Sequence, residues 1–157
     1  MSGFVIRIAD TKDASDISEL YRSVWKDYAD RFPPELLESR TPSTKGVVEW
    51  MREDTYFVTE VADGITGVVG CSFRHGTCCL THLAIAKEQR NHGIGRALVE
   101  AVIENARLKN ASKVWLDTVP FLKEAIALYK KYGFRKCGHL RKHLWGLDME
   151  LYELVFE

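Results

Sequence analysis

Residues 83–98 read LAIAKEQRNHGIGRAL, and their types and order suit the binding of an anion. An apolar run ending in Leu83, Ala84 and Ile85 passes into a polar loop. That loop, Arg90, Asn91, His92, Gly93, Ile94, Gly95 and Arg96, has the pattern Arg-x-x-Gly-x-Gly and opens an amphipathic helix. Glycine lets the backbone approach a ligand with no Cβ in the way. The first N–H groups of a helix have no internal acceptor and carry the positive end of its dipole. Arg90 and Arg96 add formal charge, so a diphosphate would suit this junction. The spacing sets it apart from two other phosphate loops. A dinucleotide fingerprint requires a third glycine where this chain has Leu98, and no G-x-x-x-x-G-K-[ST] is present.

A second pattern follows downstream, Ala125-x-x-x-Tyr129-x-x-x-Gly133-Phe134. A phenol is a plausible general acid, because its pKa near 10 lies close to that of a thiol leaving group. Together the two motifs resemble the signature of the GNAT-type N-acetyltransferase superfamily. There, [RQ]-x-x-G-x-[GA] follows an L-x-V strand and A-x-x-x-Y-x-x-x-G-F lies downstream. The resemblance covers essentially the whole chain. It implies a mixed, mostly antiparallel α/β sheet with helices on both faces, and a single acyl-CoA-dependent domain. It further implies direct transfer of an acetyl group from acetyl-CoA to an amine in a ternary complex, with no metal.

The resemblance assigns roles residue by residue. Arg90, Gly93, Gly95 and the helix start would hold the diphosphate. The backbone of Leu83 and Ile85 would pair with the pantetheine amides as an added strand, and an N–H there would stabilise an oxyanion. Tyr129 would protonate the departing thiolate. The base is less plain. Relatives often place Glu or His four and two residues before the Leu of L-x-V, and this chain has Cys79 and Thr81 there. His82 is one residue out of phase and would face the wrong side of a regular strand. A β-bulge would redirect it. Glu60, His75 and Asp117 are further candidates, as is a water relay with no essential base. Relatives also often carry Asn three residues before the first Ala of the tyrosine motif, where this chain has Leu122. The rival reading is a non-catalytic acyl-CoA-binding sensor or structural module on the same scaffold.

The elements that must position these residues are legible from periodicity. Phe4 to Ile8 alternates as a strand. Asp10 or Thr11 caps a helix whose apolar residues Ala14, Ile17, Leu20, Tyr21, Val24 and Trp25 fall at helical spacing. Helical regions at 35–38 and 45–52 follow the Pro33-Pro34 break. With Trp25, Tyr28, Phe32 and Trp50 they are expected to wall the acceptor pocket. Runs at 55–62 and 65–73 flank Asp63-Gly64, a hairpin signal. A central strand at 77–86 and the helix at 93–108 carry the loop. A strand at 113–119, a helix at 122–131 and strands at 134–143 and 148–156 complete the order β-α-α-β-β-β-α-β-α-β-β. The turn near Lys142–Gly146 is expected to touch the acceptor or a second subunit, so a homodimer stays open.

Composition bounds the rest. At 157 residues and 46% hydrophobic content, the chain suits one soluble domain. No apolar run reaches the length of a membrane span, and residues 1–9 lack a signal-peptide layout, so no membrane partner is expected and a cytoplasmic location is the default. The four cysteines show no metal spacing and read as reduced thiols filling small apolar sites. Net charge is zero, yet residues 1–78 carry 9 Lys/Arg against 13 Asp/Glu, and residues 79–157 carry 13 against 9. The basic half holds both motifs, which fits a polyphosphate-bearing cofactor; the absence of a basic stripe with interleaved aromatics argues against nucleic acid.

Overall fold

The structure is a computed structural model and describes residues 3–157. Seven strands form one sheet: β1 (Val5–Ile8), β2 (Thr55–Val61), β3 (Gly64–Arg74), β4 (Thr77–Ile85), β5 (Lys113–Thr118), β6 (Arg135–Leu144) and β7 (Leu147–Val155). Their spatial order is β1-β2-β3-β4-β5-β7-β6. Every neighbouring pair is antiparallel except β4 and β5. The expected mixed, mostly antiparallel sheet with helices on both faces is therefore the observed one. Five helices are α1 (Ala14–Trp25), α2 (Pro34–Arg40), α3 (Thr44–Glu53), α4 (Ile94–Leu108) and α5 (Lys123–Lys131). The front of the chain holds three helices, at the three helical regions read there, although the element string counts only two.

Each helix buries the stripe its sequence dictates. All six apolar residues named for α1 are buried, and they pack with α2, α3, Tyr56 and Val68 on one face of the sheet. The stripe Ile94, Leu98, Val99, Val102 and Ala106 of α4 packs with α5 and Cys71, Cys78 and Leu80 on the other. Cys71 and Cys78 fill small sites in that core as expected, whereas Cys137 is exposed on the edge strand β6, so the expectation fails for it. Gly67 lets α4 close onto β3: a Cβ there would lie 2.7 Å from Thr59 Oγ1, 2.8 Å from Ile94 Cγ2 and 2.9 Å from Leu98 Cδ1. Among the described residues no helix is long and apolar enough to cross a membrane.

The parallel pair is where the sheet opens. β4 and β5 are joined at Cys78–Val114 and Cys79–Trp115 only. β4 continues through Leu80–Ile85 and β5 through Leu116–Thr118 with no partner for each other. The cause lies partly in β4 itself. Against β3, Val68 pairs with Ala84 and Gly70 with Thr81, so three steps of β4 oppose two of β3. The extra residue is a bulge at His82, whose φ is +54°. Bulges bend and twist a strand, and this one bends β4 away from β5.

Candidate active site

The opening between β4 and β5 is the floor of a cleft of about 780 Å³ that runs from the start of α4 to α1 and α2. At one mouth stands the loop predicted to bind phosphate. Asn91 (φ +67°) and Gly93 (φ +83°) both adopt left-handed backbone, and Gly93 precedes the first residue of α4. The first helical N–H to find a carbonyl is that of Ala97, 3.0 Å from Gly93 O. The N–H groups of Ile94, Gly95 and Arg96 find no acceptor among the described residues, as a helix start dictates. Arg90, Asn91, Gly93, Gly95 and Arg96 line the cleft. A Cβ on Gly95 would lie 2.9 Å from Ile85 Cδ1 and 3.1 Å from Leu128 Cδ2, so glycine keeps this wall open. His92 is exposed and outside the lining, and the Ile94 side chain is buried in the α4 core. Leu83, Ala84 and Ile85 line the floor; Leu83 and Ile85 also pack against the α4 side, and Ala84 belongs to the α1 side.

In the middle of the cleft lies Tyr129, only 5% exposed, its ring packed 5.8 Å from that of Phe134. Helix α5 places it there because Gly133 (φ +96°) ends the helix: Gly133 N donates to Lys130 O at 3.0 Å and Phe134 N to Tyr129 O at 3.1 Å. The Tyr129 hydroxyl has no hydrogen-bond partner among the described residues. Burial raises its pKa above the ordinary phenol value, Arg40 pulling the other way and Asp117 adding to the rise. The phenol therefore stays protonated across the working pH range.

The bulge settles the phase of His82. In a regular strand it would share the face of Leu80; the left-handed residue turns it to the α1–α3 side. Its ring stacks on Trp50 at 3.9 Å and 6°. Its Nδ1 lies 2.9 Å from the Tyr56 hydroxyl, and its carbonyl accepts from the Tyr21 hydroxyl at 2.6 Å. Burial, with help from Arg40, lowers the imidazole to about 4, so it is neutral at pH 7. Cys79 and Thr81 line the cleft nearby, and burial pushes the Cys79 thiol up to about 12. Of the other candidate bases, Asp117 lines the cleft. Glu60 is held by Arg7 at 3.1 Å on the far side of the sheet order, and His75 sits in the β3–β4 turn.

Trp25 and Tyr28 line the cleft as predicted. Phe32 is buried behind Trp25, with ring centroids 5.5 Å apart, and Trp50 stands behind His82. The Lys142–Gly146 turn is not among the lining residues, although its Leu144 packs against the same cluster as Phe121 and Leu122, and Trp145 is 53% exposed. Sequence reasoning missed Arg31, Arg40, Thr118 and Phe121, which line the cleft with Trp25 and Tyr28. Nothing in their local pattern marks them; Arg40 is one of several charges on a short helix. Among the described residues no cluster of His, Cys, Asp or Glu could hold a metal ion.

A sheet split at its one parallel junction, with a helix start and Arg-x-x-Gly-x-Gly loop at the mouth of the split, defines a known class of transferase scaffold. The model of the acetyltransferase (GNAT) family matches residues 17–134, and the chain belongs to that family. Among its relatives, human N-acetyltransferase 8 is 30% identical over 143 residues, covering 87% of this chain and 61% of that protein. Human N-acetyltransferase 8B is 33% identical over 107 residues, covering 64% of this chain and 47% of that protein. The chain therefore spans roughly half to three fifths of the length of these relatives. Two solved structures share the fold at a TM-score of 0.80. They are yncA from Salmonella typhimurium with its cofactor acetyl-CoA (20% identical, 99% and 95% of the two chains covered) and Ard1 from Thermoplasma volcanium (24%, 99% and 99%).

Proposed function

We propose that the chain is an N-acetyltransferase that moves the acetyl group of acetyl-CoA to a primary amine by direct transfer in a ternary complex. The observation that carries this reading is the cleft itself. An unpaired β4 edge, unsatisfied N–H groups at the start of α4 and the unpartnered Tyr129 hydroxyl line one continuous space. The donor set fits the cofactor. N–H groups at 93–96 and the guanidinium groups of Arg90 and Arg96 suit a diphosphate. The backbone at Leu80–Ile85 suits the amides of an extended arm. The acetyl thioester supplies an activated acyl carbon when bound.

The protein's own residues then have separable tasks. The β4 edge orients the acyl group for attack, which reduces the entropy cost of the encounter. Tyr129 holds a proton where the sulfur leaves. His82, uncharged but weakly basic, passes the proton of the incoming ammonium onward through water rather than retaining it. Asp117 offers a second acceptor on the same wall.

Acetyl-CoA binding by calorimetry, with coenzyme A and ATP as controls, tests the reading on the wild type and on Gly93→Val. A Cβ at Gly93 would meet no neighbouring atom within 4 Å, so the first cost of valine there is the left-handed backbone at φ +83°, about 1–2 kcal/mol. Micromolar binding in the wild type, lost in Gly93→Val and in Gly95→Val, supports the assignment, and an amine screen read by mass spectrometry follows. Unchanged affinity in both variants refutes the loop assignment. Binding without turnover of any amine points to a sensor module.

A further inference from the structure

Arg40 closes α2 on the acceptor side of the cleft. It is half-buried, its guanidinium 5.6 Å from the Trp25 ring. It makes no hydrogen bond and no ion pair within 4 Å among the described residues. Its charged neighbour on the cleft wall is Asp117, close enough to influence it but outside ion-pair distance. A cation withdrawn from water is costly unless it is paired and hydrogen-bonded, and apart from the Trp25 ring this one has no anion within 4 Å among the described residues. Burial accordingly lowers its pKa. The phosphate-binding cations Arg90 and Arg96 belong to the opposite mouth, at the start of α4. Arg40 instead shares the cleft lining with His82, Asp117 and Tyr129, near enough for its charge to act on them and on Tyr21. A second guanidinium, Arg31, lies over the rings of Tyr28 (4.7 Å) and Phe121 (5.1 Å) on the same side. The acceptor end thus combines two arginines, one aspartate and an aromatic wall.

We infer that Arg40 is a specificity residue that receives a carboxylate carried by the acceptor, so that the substrate is an amino carboxylate with an apolar substituent. This inference rests on the acetyltransferase reading above. A guanidinium presents a planar fork of donors that matches a carboxylate and no neutral group equally well. The carboxylate supplies the missing partner of Arg40, the ammonium lies toward Asp117 and His82, and the apolar arm lies along Trp25, Tyr28 and Phe121. A plain amine of the same shape leaves Arg40 unpaired.

The test compares L-phenylalanine with phenethylamine and phenylalaninamide as acceptors, with acetyl-CoA, in the wild type, Arg40→Met and Arg40→Lys. Loss of a charge-assisted hydrogen bond corresponds to roughly 10- to 100-fold in kcat/KM. The wild type is expected to prefer phenylalanine by at least that factor. Arg40→Met should abolish the preference by lowering kcat/KM for phenylalanine alone, and Arg40→Lys should restore part of it. Equal turnover of the three acceptors by the wild type overturns the inference. So does an equal loss for all three in Arg40→Met, which would place Arg40 in the reaction rather than in acceptor recognition. Calorimetry on the same samples separates the two levels. Acetyl-CoA binding without carboxylate preference sinks this inference alone, whereas no acetyl-CoA binding sinks the acetyltransferase reading and this inference with it.

Discussion

Replacing Tyr129 by phenylalanine removes one oxygen from the middle of the cleft, and the structure sets what that should do. The hydroxyl has no protein partner, so no hydrogen bond breaks and no donor or acceptor is left unsatisfied. The ring and its packing on Phe134 remain. Folding stability should therefore change by no more than about 0.5 kcal/mol, or about 1–2 °C in Tm for a domain of this size. Loss of a general acid from the reaction is a different matter. Such groups contribute about 10²- to 10⁴-fold, equivalent to about 2.7–5.4 kcal/mol of barrier. The assay is acetylated product measured by mass spectrometry in single turnover, so that slow product release cannot mask the chemical step. Calorimetry on the same variant should give an acetyl-CoA Kd within about threefold of the wild type. A single-turnover rate within threefold of the wild type, with that Kd intact, would remove Tyr129 from the mechanism.

Two further predictions concern the frame around the site. Gly67→Ala places a Cβ against Thr59, Ile94 and Leu98 at 2.7–2.9 Å, and overpacking of this kind costs about 1–3 kcal/mol; urea unfolding should show it, and an unchanged midpoint would contradict the tight α4–β3 seam. The folded-state pKa of His82 lies near 4, below the ordinary 6.5, so the folded chain binds fewer protons than the unfolded chain between those values. Stability should rise with pH from about 4 to 6.5 through this residue by up to about 3 kcal/mol, and be flat above. His82→Asn, which tolerates the left-handed backbone, should lose that component when unfolding is compared at pH 4.5 and 7.5. An identical pH dependence in the variant would show that His82 titrates normally.

Much of the site was legible because its signals are local. Glycines at 93 and 95, an arginine three residues before the first, and a switch from strand to helix periodicity are the pattern expected of an anion-binding loop, without reference to any distant residue. The stripe of α1 was read residue by residue, since a helix must bury the face on which its apolar residues recur. Tyr129 was singled out by the resemblance of Ala125-x-x-x-Tyr129-x-x-x-Gly133-Phe134 to a family motif, and its position before the Gly133 stop fits that motif. The two-residue period of a strand made His82 look misplaced, and the possibility of a bulge was all that could be said.

The tertiary structure decided the rest. Whether β4 bulges depends on how three of its steps meet two of β3, a matter of pairing between strands and not of β4 alone. The same pairing opens the sheet and turns His82 onto Trp50 and Tyr56, residues 32 and 26 positions away. Arg40 could not be told from any other helix charge until α2 folded over the cleft, because a lone guanidinium becomes meaningful only when burial denies it water and the chain offers it no anion. By itself the sequence determined the strand order along the chain, the strand–loop–helix junction at 83–98 and the helix ending at Gly133, since each is encoded in contiguous residues. Which side chains face one another across the cleft depends on long-range pairing and burial, and that is written only in the folded chain.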